Sequence, residues 1–460
     1  MRKSGALAFT LLVLTACAAN GSAPGATGSS SAVPPSTATG SSSAPAPATT
    51  ESDWPTYHRD NARTGVAAGL APLGTLGVAW RAALDGAVYG QPLVVGNRIL
   101  AATEHNTIYS LDPSTGAVQW SAHVGEPVPR SALPCGNIDP LGITGTMVFD
   151  PATSRVFALA ETTSGAHLLV GVNVTSGAVE VRVPLEPPEG DRLAHQQRAA
   201  LTLLGNRVYV AYGGLFGDCG RYFGSVVSVT TAGAEPLSYH VPTPREAGIW
   251  ATGGAVVDGD RLLVSAGNGE STSGFDDSDS VLALSPTLAR VDLFAPSTWA
   301  DDNRRDLDLG SSSPILLGDF VLIIGKRGTG YVLRRTALGG VGGQVASAEI
   351  CRSFGGSAVN AGVAYVPCAD GTRAVRLDAS GVPTVVWRTP VRANGSPTVG
   401  GGAVWVTDYS AGLLYALDPA TGAVRAQLTT GTLPHFASPT LSGDHAYLGT
   451  MDGVLAISGA

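Results

Sequence analysis

The chain has 460 residues, a formal net charge of −8 at pH 7 and only 14% charged residues. The negative net charge argues against nucleic acid as a partner, because binding to a phosphate backbone needs clustered lysine and arginine. It also argues against adhesion to anionic lipid by charge alone. The 60 glycines and 30 prolines favour many turns over long charged helices.

The first residues have the pattern of a secretory signal peptide. Arg2 and Lys3 form a short positive segment, and the apolar run that follows is too short to span a bilayer as a helix. It ends in Leu-Thr-Ala-Cys at residues 14–17, which resembles a bacterial lipobox. We predict a signal peptide over residues 1–16 and a lipidated, palmitate-bearing Cys17 that anchors an extracytoplasmic protein to the cell membrane. The alternative is an ordinary cleaved signal peptide with a chance cysteine.

The next segment has a composition that cannot form a core. Residues 18–50 are almost entirely Ser, Ala, Pro, Thr and Gly, and none is aromatic. Such a segment buries too little apolar surface to offset its ordering entropy. We therefore expect residues 17–50 to be a disordered tether, or a glycosylated stalk with the same mechanical role.

The clearest internal repeat joins two distant stretches. Residues 106–118 are NTIYSLDPSTGAV, and residues 412–424 are GLLYALDPATGAV. Alternating residues around Asp-Pro-x-Thr-Gly are typical of a hairpin, because Pro presets the turn dihedral, Asp caps the turn and Gly supplies positive φ. Residues 173–177 carry a weaker copy of the same turn.

A second hairpin pattern lies upstream of these turns. Gly96-Asn97 in the first copy and Gly443-Asp444 in the last separate two apolar runs, and such dipeptides form tight turns. The pattern recurs at residues 91–103, 145–160, 202–211, 254–266, 313–325, 358–367, 396–407 and 438–450. Eight units with a period of about 46 residues match four-stranded propeller blades. We predict an all-β fold over residues 51–460, an eight-bladed β-propeller of four-stranded antiparallel blades.

The two ends of the repeat region complement each other. The last unit stops near Ile457 after its third strand, whereas an unassigned strand at residues 76–81 precedes the first unit. Trp80 in that strand occupies the place that Trp120 and Trp387 hold after the turns of their units. We predict that this N-terminal strand completes the last blade and closes the ring, which removes two exposed sheet edges.

Four cysteines remain after Cys17 is assigned to the anchor. An even number in an exported protein suggests disulfides, and three pairings are possible. We favour Cys351–Cys368, because the repeat pattern places them on adjacent strands. Cys135–Cys219 then follows by elimination and would tie two long loops on one face. Free buried thiols are the alternative.

The repeats resemble a known family. Units with Tyr-Ala-Leu-Asp-x-x-Thr-Gly-x-Val followed by Trp resemble the quinoprotein-type repeat, the blade of pyrroloquinoline-quinone (PQQ)-like β-propellers. The opening segment Asp53–Gly65 resembles the start of many exported proteins of this group. The resemblance implies either a PQQ- and Ca²⁺-dependent dehydrogenase of alcohols or sugars, or a non-enzymatic lipoprotein like the outer-membrane assembly scaffold. Such dehydrogenases commonly use a vicinal Cys-Cys pair, and no two cysteines are adjacent here.

Several polar residues are candidates for binding a ligand. Lys326 follows a strand in a Gly-rich loop, where it could bind a carboxylate or quinone oxygen, although an exposed turn lysine is the alternative. The loop lacks the spacing of a phosphate loop. Gln196, Gln197 and Arg198 precede the third unit, where an innermost strand enters the channel. They could face a ligand or belong to a hydrogen-bonded network that fills the channel. Asn268 is a further candidate.

The acidic loops are candidates for Ca²⁺. Asp276, Asp277 and Asp279 form one oxygen-rich cluster, and residues 301–308 carry another, although solvated acidic loops are the alternative. The eight histidines show no zinc spacing, and there is no Gly-x-Ser-x-Gly elbow. No catalytic residue is assigned.

The pattern as a whole favours a cell-envelope lipoprotein whose propeller is a monomeric binding or scaffold module for a protein, peptide or glycan. The alternative is the PQQ-dependent dehydrogenase, for which the sequence shows no complete catalytic set.

Overall fold

The computed structural model describes residues 50, 52–163 and 165–460, which lie within one compact unit. The predicted signal peptide, Cys17 and most of the tether lie outside the described residues. The strands form eight antiparallel blades, and the first strand, β1 (Gly77–Ala83), belongs to the last of them.

Blade 1 consists of β2 (Leu93–Val95), β3 (Arg98–Ala102), β4 (Thr107–Leu111) and β5 (Val118–His123). Blade 2 consists of β6 (Val148–Asp150), β7 (Arg155–Glu161), β8 (His167–Asn173) and β9 (Val179–Pro184). Blade 3 consists of β10 (His195–Gln196), β11 (Thr202–Leu204), β12 (Arg207–Gly214), β13 (Ser225–Thr230) and β14 (Leu237–His240). Blade 4 consists of β15 (Val256–Asp258), β16 (Arg261–Ala266), β17 (Ser280–Leu284) and β18 (Arg290–Ala295).

The remaining blades repeat this order. They are formed by β19 (Ile315–Leu317), β20 (Phe320–Ile324), β21 (Thr329–Arg334) and β23 (Ala346–Glu349); β24 (Ala358–Asn360), β25 (Val363–Cys368), β26 (Gly371–Leu377) and β27 (Pro383–Arg388); β28 (Thr398–Gly400), β29 (Ala403–Asp408), β30 (Leu413–Leu417) and β31 (Val424–Thr429); and β32 (Thr440–Ser442), β33 (His445–Thr450), β34 (Gly453–Ser458) and β1. A short strand from blade 5, β22 (Gly340–Val341), pairs in parallel with β18 of blade 4. One α-helix, α1 (Trp299–Arg305), and two 3-10 turns (Arg130–Ala132 and Arg192–Ala194) complete the secondary structure of the described residues. None of the helices in these residues is long and apolar enough to cross a bilayer.

The predicted eight-bladed propeller and its closure are confirmed. Strand β1 pairs antiparallel with β34 over residues 77–83, so the N-terminal strand is the outer strand of blade 8. The strand starts at Gly77 and ends at Ala83, slightly later at both ends than the predicted 76–81. Because the first and last parts of the chain share one sheet, the ring has no open seam.

The Thr-Gly turns have a packing role that explains the repeated tryptophans. The indole N–H of Trp80 donates to the carbonyl of Pro113 in the next blade at 2.9 Å, and Trp120 and Trp387 make the same bond to Val174 and Pro419. Each ring lies over the glycine of the neighbouring turn; at Gly116, a Cβ atom would lie 2.5 Å from Trp80. That glycine also has φ of +72°, so both close approach and backbone conformation require it.

The hydrophobic core lies between blades rather than in one centre. The inner strands are buried on both faces, as in β20, whereas outer strands such as β31 alternate between exposed and half-buried residues. Separate apolar clusters fill successive spaces around the ring. This arrangement leaves the axis to polar segments, and those segments form the site described next.

Candidate functional site

A cavity of about 670 Å³ lies on the axis of the propeller and forms the funnel described here. Its wall comes from two kinds of loop: the connections between blades, such as those carrying Trp250 and Arg392, and the loops between the second and third strands, such as the one carrying Lys326. In an antiparallel blade these loops lie at the same end of the strands. The funnel therefore opens on one face of the ring, called the funnel face.

The opposite part of the channel is filled by residues 52–67, called the plug. The plug backbone pairs with innermost strands: Trp54 with Val94, Pro55 O with Phe149 N, Asn61 O with Val257 N, Thr64 O with Val359 N, and Gly65 O with Val399 N. These partners lie near the turn between the first and second strands of each blade, at the end away from the funnel face. Since the Ser442 hydroxyl also donates to Ser52 O, the plug bonds to blades 1, 2, 4, 6, 7 and 8.

Buried polar side chains hold the plug in place. Arg63, 4% exposed, donates six hydrogen bonds to the hydroxyls of Thr56 and Thr202 and to four backbone carbonyls, which adds blade 3 to the contacts. His58 is fully buried between Ser357 O at 3.1 Å and Ser438 Oγ at 3.0 Å. Burial lowers the pKa of His58 to about 3, so the ring is neutral. The plug thus carries a buried cation without closing the funnel to ligands.

The innermost strand of blade 3 is split, and the split positions two predicted residues. Strands β10 and β11 both pair with β12, and residues 197–201 lie between them. Gln196 and Arg198 line the funnel as predicted. Gln196 is 7% exposed, and its side-chain amide makes no hydrogen bond within the described residues. The amide therefore reaches the cavity and is available to a ligand.

Arg198 is held by aromatic rings rather than by a carboxylate. Its guanidinium lies 5.5 Å from the ring centroid of Tyr89 and 5.6 Å from that of Phe436, and it donates to His435 O at 3.0 Å. The nearby Glu104 is buried, and burial raises its pKa to about 8, so that this acid is largely protonated at neutral pH. The positive charge of Arg198 is thus left without a neutralising partner beside the cavity.

Gln197 does not line the funnel. Its backbone N–H donates to Glu161 Oε1 at 2.8 Å, and its side chain donates to Ala199 O. His195 before it bonds to Asp191 O and accepts from the N–H of Phe223. The two interpretations of this segment are therefore divided between residues: Gln196 and Arg198 face the cavity, whereas His195 and Gln197 belong to a buried network.

Lys326 lines the funnel and is not an exposed turn lysine, since only 12% of its side chain is accessible. Its ammonium lies 2.9 Å from Asp308 Oδ2, contacts Asp306 and lies 5.8 Å from the ring centroid of Trp250. Burial opposes the charge, but the ion pair with Asp308 raises the pKa of Lys326. Lys326 therefore enters the cavity already neutralised by two carboxylates.

Asn268 also lines the funnel, at the end of β16. Its Nδ2 donates to Glu246 at 3.3 Å, whereas its side-chain oxygen Oδ1 accepts no hydrogen bond within the described residues. Burial raises the pKa of Glu246 to about 7. This wall, formed by blades 3 to 5, is polar and contains the acids Asp218 and Asp306.

The opposite wall combines arginines with aromatic rings, and the sequence reasoning missed it. Arg352 and Arg392 lie in consecutive connections between blades and are exposed, and their side chains make no hydrogen bond or ion pair within the described residues. Arg352 lies 5.8 Å from the ring centroid of Phe354. Phe354 and Phe436 are stacked at 6.4 Å, and Tyr409 meets Phe436 edge to face. These residues lie in irregular connections, where no repeat pattern marks them.

The predicted calcium ligands are not brought together. Asp276 bonds to Ser278, Asp277 pairs with Arg290 at 3.0 Å, and Asp279 accepts from the N–H of Leu309 at 2.8 Å. Across residues 50, 52–163 and 165–460, no group of three or more His, Cys, Asp or Glu side chains is arranged to hold a metal ion. The second acidic cluster is also paired internally, with Arg327 between Asp301 and Asp302.

Both predicted disulfides are present. Cys135–Cys219, with Cα atoms 6.1 Å apart, joins the connection between blades 1 and 2 to a loop of blade 3, and both loops line the funnel face as expected. Cys351–Cys368 joins blades 5 and 6, but Cys351 lies in the connection after β23 rather than on an adjacent strand. That connection runs beside β25, where Ser353 bridges to Cys368.

The lining of the funnel fits PQQ only in part. The arginines and aromatic faces would suit a flat polycarboxylate such as PQQ. However, the four cysteines of the described part form two long-range disulfides rather than a vicinal pair, and the acidic side chains do not converge on a metal position. Lys326 is held by its own carboxylates. The residues therefore do not fit a metal-supported quinone cofactor.

Comparison with known proteins agrees with the geometry of the fold. The family model of the outer membrane protein assembly factor BamB, a PQQ-type repeat family, matches residues 74–214. No curated protein compared with the chain matches it. Similar solved structures include quinohemoprotein alcohol dehydrogenase from Comamonas testosteroni (TM-score 0.69, 16% identity, covering 88% of this chain and 80% of that one). A europium-containing methanol dehydrogenase is also similar, with a TM-score of 0.67 and 14% identity over 89% of this chain and 98% of that one. BamB from Moraxella catarrhalis has a TM-score of 0.58 and 15% identity over 84% of this chain and 99% of that one. The chain therefore has a β-propeller fold similar to that of quinoprotein dehydrogenases and BamB, and part of it matches a PQQ-type repeat family.

Proposed function

We propose that the protein is a non-catalytic binding module of the cell envelope, whose funnel binds an anionic ligand. The observation that carries this proposal is the set of cations without carboxylate partners: Arg198, Arg352 and Arg392 line one cavity in a chain whose net charge is −8. Lining arginines that lack carboxylate partners within the described residues are available for charge-assisted hydrogen bonds to a ligand.

The size and lining of the cavity support a small ligand. A volume of about 670 Å³ lies within the ~300–1,000 Å³ typical of small-molecule sites. Half-buried aromatic rings beside the arginines supply apolar contact area, and the plug forms a fixed floor. A site that is already organised in this way loses less conformational entropy when a ligand binds.

The envelope location is part of the same proposal. Its support is the sequence pattern of residues 1–17, with two basic residues, an apolar run and a cysteine after small residues. Replacing Cys17 with Ser should release the protein from the membrane fraction and abolish incorporation of radiolabelled palmitate. Membrane retention of the Cys17→Ser variant would contradict the lipid anchor.

The binding function is tested by calorimetry on the purified chain from residue 46 onward, titrated with a panel of polycarboxylates and their neutral esters. We expect the acids to bind and the esters to bind at least tenfold more weakly, with affinity falling as salt rises. Failure of every anion to bind would contradict the proposal.

The dehydrogenase alternative rests on the shared fold and on the cationic wall. It predicts a quinone absorbance change and dye reduction when PQQ and Ca²⁺ are added with alcohols or sugars. We expect neither, because the described carboxylates do not converge on a metal position. Turnover in this assay would overturn the proposal of a non-catalytic module.

A further inference from the structure

We infer that the funnel binds an acidic oligosaccharide, a short chain of sugar rings that carries carboxylate groups. The inference rests on the proposed function and narrows it from an anion to one chemical class. It depends on three properties of the same cavity: cations on different segments of its wall, half-buried aromatic rings, and side-chain amides with unused hydrogen-bonding atoms among the described residues.

The cations lie on different segments of the funnel wall. Arg198 lies within the split innermost strand of blade 3, Arg352 between blades 5 and 6, and Arg392 between blades 6 and 7. The guanidinium of Arg198 lies against Phe436 and that of Arg352 against Phe354, so these two charges lie against different rings. Arginines placed in this way match a ligand with more than one carboxylate, because each guanidinium can form a bidentate pair with one of them.

The aromatic rings offer flat apolar faces at the same positions. Phe354, Tyr409 and Phe436 are half-buried in the arginine wall, and Trp250 faces them from the connection between blades 3 and 4. At the rim, Phe216 is 71% exposed on the loop that the Cys135–Cys219 disulfide holds. A pyranose ring has an apolar C–H face that packs on such rings, whereas a flexible acidic peptide lacks one at each residue.

The polar lining is suited to hydroxyl groups. Gln196 is only 7% exposed, and its side-chain amide has no hydrogen-bond partner within the described residues. Asn268 has a free carbonyl oxygen, and Asn137 lines the cavity without a side-chain hydrogen bond in the described part of the chain. Planar amides can donate and accept at once, as adjacent sugar hydroxyls require. When a ligand binds, these cavity-facing amides can form hydrogen bonds with its hydroxyl groups.

The test uses the purified chain from residue 46 onward and calorimetric titration with trigalacturonate. Fully methyl-esterified trigalacturonate and maltotriose serve as neutral sugars, and triglutamate and a flat benzene tricarboxylate serve as non-sugar anions. We expect trigalacturonate to bind at least tenfold more tightly than any of these four. Quenching of tryptophan fluorescence on binding, absent in a Trp250→Phe variant, gives an independent readout of the aromatic wall.

Variants assign the binding to the cavity. The Arg352→Gln/Arg392→Gln double variant should weaken trigalacturonate about 100-fold and leave maltotriose unchanged, and Gln196→Ala should weaken both sugars about tenfold. Arg388→Gln, an exposed arginine on the outer strand β27, is the control for charge and should have no effect. Thermal unfolding checks that each variant folds.

The outcomes separate the inference from the proposed function. If triglutamate or the benzene tricarboxylate binds and trigalacturonate does not, the ligand class is wrong and the anion-binding module stands. If the neutral sugars bind as tightly as trigalacturonate, the role of the arginines is wrong. If none of the anions binds, both the inference and the proposed function fail.

Discussion

Replacing Arg63 with Met tests whether the plug is part of the folded core. The side chain makes six hydrogen bonds, to two hydroxyls and four carbonyls, and Met replaces only its unbranched aliphatic part while removing every donor. At ~1 kcal/mol for each bond, the loss is ~6 kcal/mol. Against this, burial lowers the pKa of Arg63 from 12.5 to about 10, which corresponds to ~3 kcal/mol that the uncharged variant regains. The net destabilisation is therefore about 3 kcal/mol.

Urea unfolding followed by tryptophan fluorescence measures this change as a shift of the midpoint. The control is Arg304→Met, which removes an ion pair from α1 whose arginine side chain is 61% exposed and should cost under ~1 kcal/mol. Limited proteolysis adds a second readout, because a loosened plug should be cut within residues 52–67. If Arg63→Met unfolds at the same urea concentration as Arg304→Met and resists the protease, the plug does not stabilise the ring.

Three further changes test other parts of the structure. Trp80→Ala removes the bond to Pro113 and the ring over the neighbouring turn, so urea unfolding should show a loss of about 3–5 kcal/mol. Glu104→Gln should flatten the dependence of the urea midpoint on pH: because burial raises the folded-state pKa to about 8, the wild type loses stability as pH rises from about 4.5 to about 8. Removing Cys135–Cys219 should destabilise the protein by about 1 kcal/mol more than removing Cys351–Cys368, because the first bridge closes a loop of 84 residues and the second one of 17.

Each of these three predictions has its own control or contradicting result. Val78→Ala, on the same strand as Trp80 and 45% exposed, should change stability by less than ~0.5 kcal/mol. Equal slopes of the urea midpoint between pH 5 and pH 8.5 in wild type and Glu104→Gln would contradict the raised pKa. Double serine variants compare the two disulfides without reducing agents, and equal losses would contradict the loop-length argument.

The sequence predicted the architecture because each blade carries its own local signal. Turn dipeptides, alternating strands and the Thr-Gly turn recur at a similar spacing, so each repeat supports the assignment of the others. The missing outer strand of the last unit likewise identified β1 as its partner. Periodicity therefore carried both the number of blades and the closure of the ring.

The site could be predicted only in part, because a funnel is assembled from segments without periodicity. Lys326, Gln196, Arg198 and Asn268 line the cavity, but the arginine and aromatic wall comes from connections whose sequences do not repeat. The sequence of the plug resembles the start of proteins with the same repeats, but it does not predict that this segment fills the channel. The partners of the plug are spread along the chain from Val94 to Ser442, so no local pattern marks them.

The acidic loop shows why closeness in sequence does not make a ligand set. Asp277 and Asp279 both have positive φ, at 64° and 46°, so the backbone turns their carboxylates toward different neighbours. One pairs with Arg290 and the other accepts a backbone N–H. Aspartates that are close in the sequence therefore make separate contacts and do not share a metal position.

The plug and β1 also fix the order in which the chain can finish folding. Both lie at the start of the folded unit, yet their partners include Val399, Ser442 and β34 near its end. Contacts over such sequence separations form late, because the intervening chain must first be ordered. The opening segment therefore stays unpaired until the final strand is available, and a chain cut short before β34 would lack the strand that pairs with β1. The ring can therefore close only in a chain that has been synthesised as far as β34.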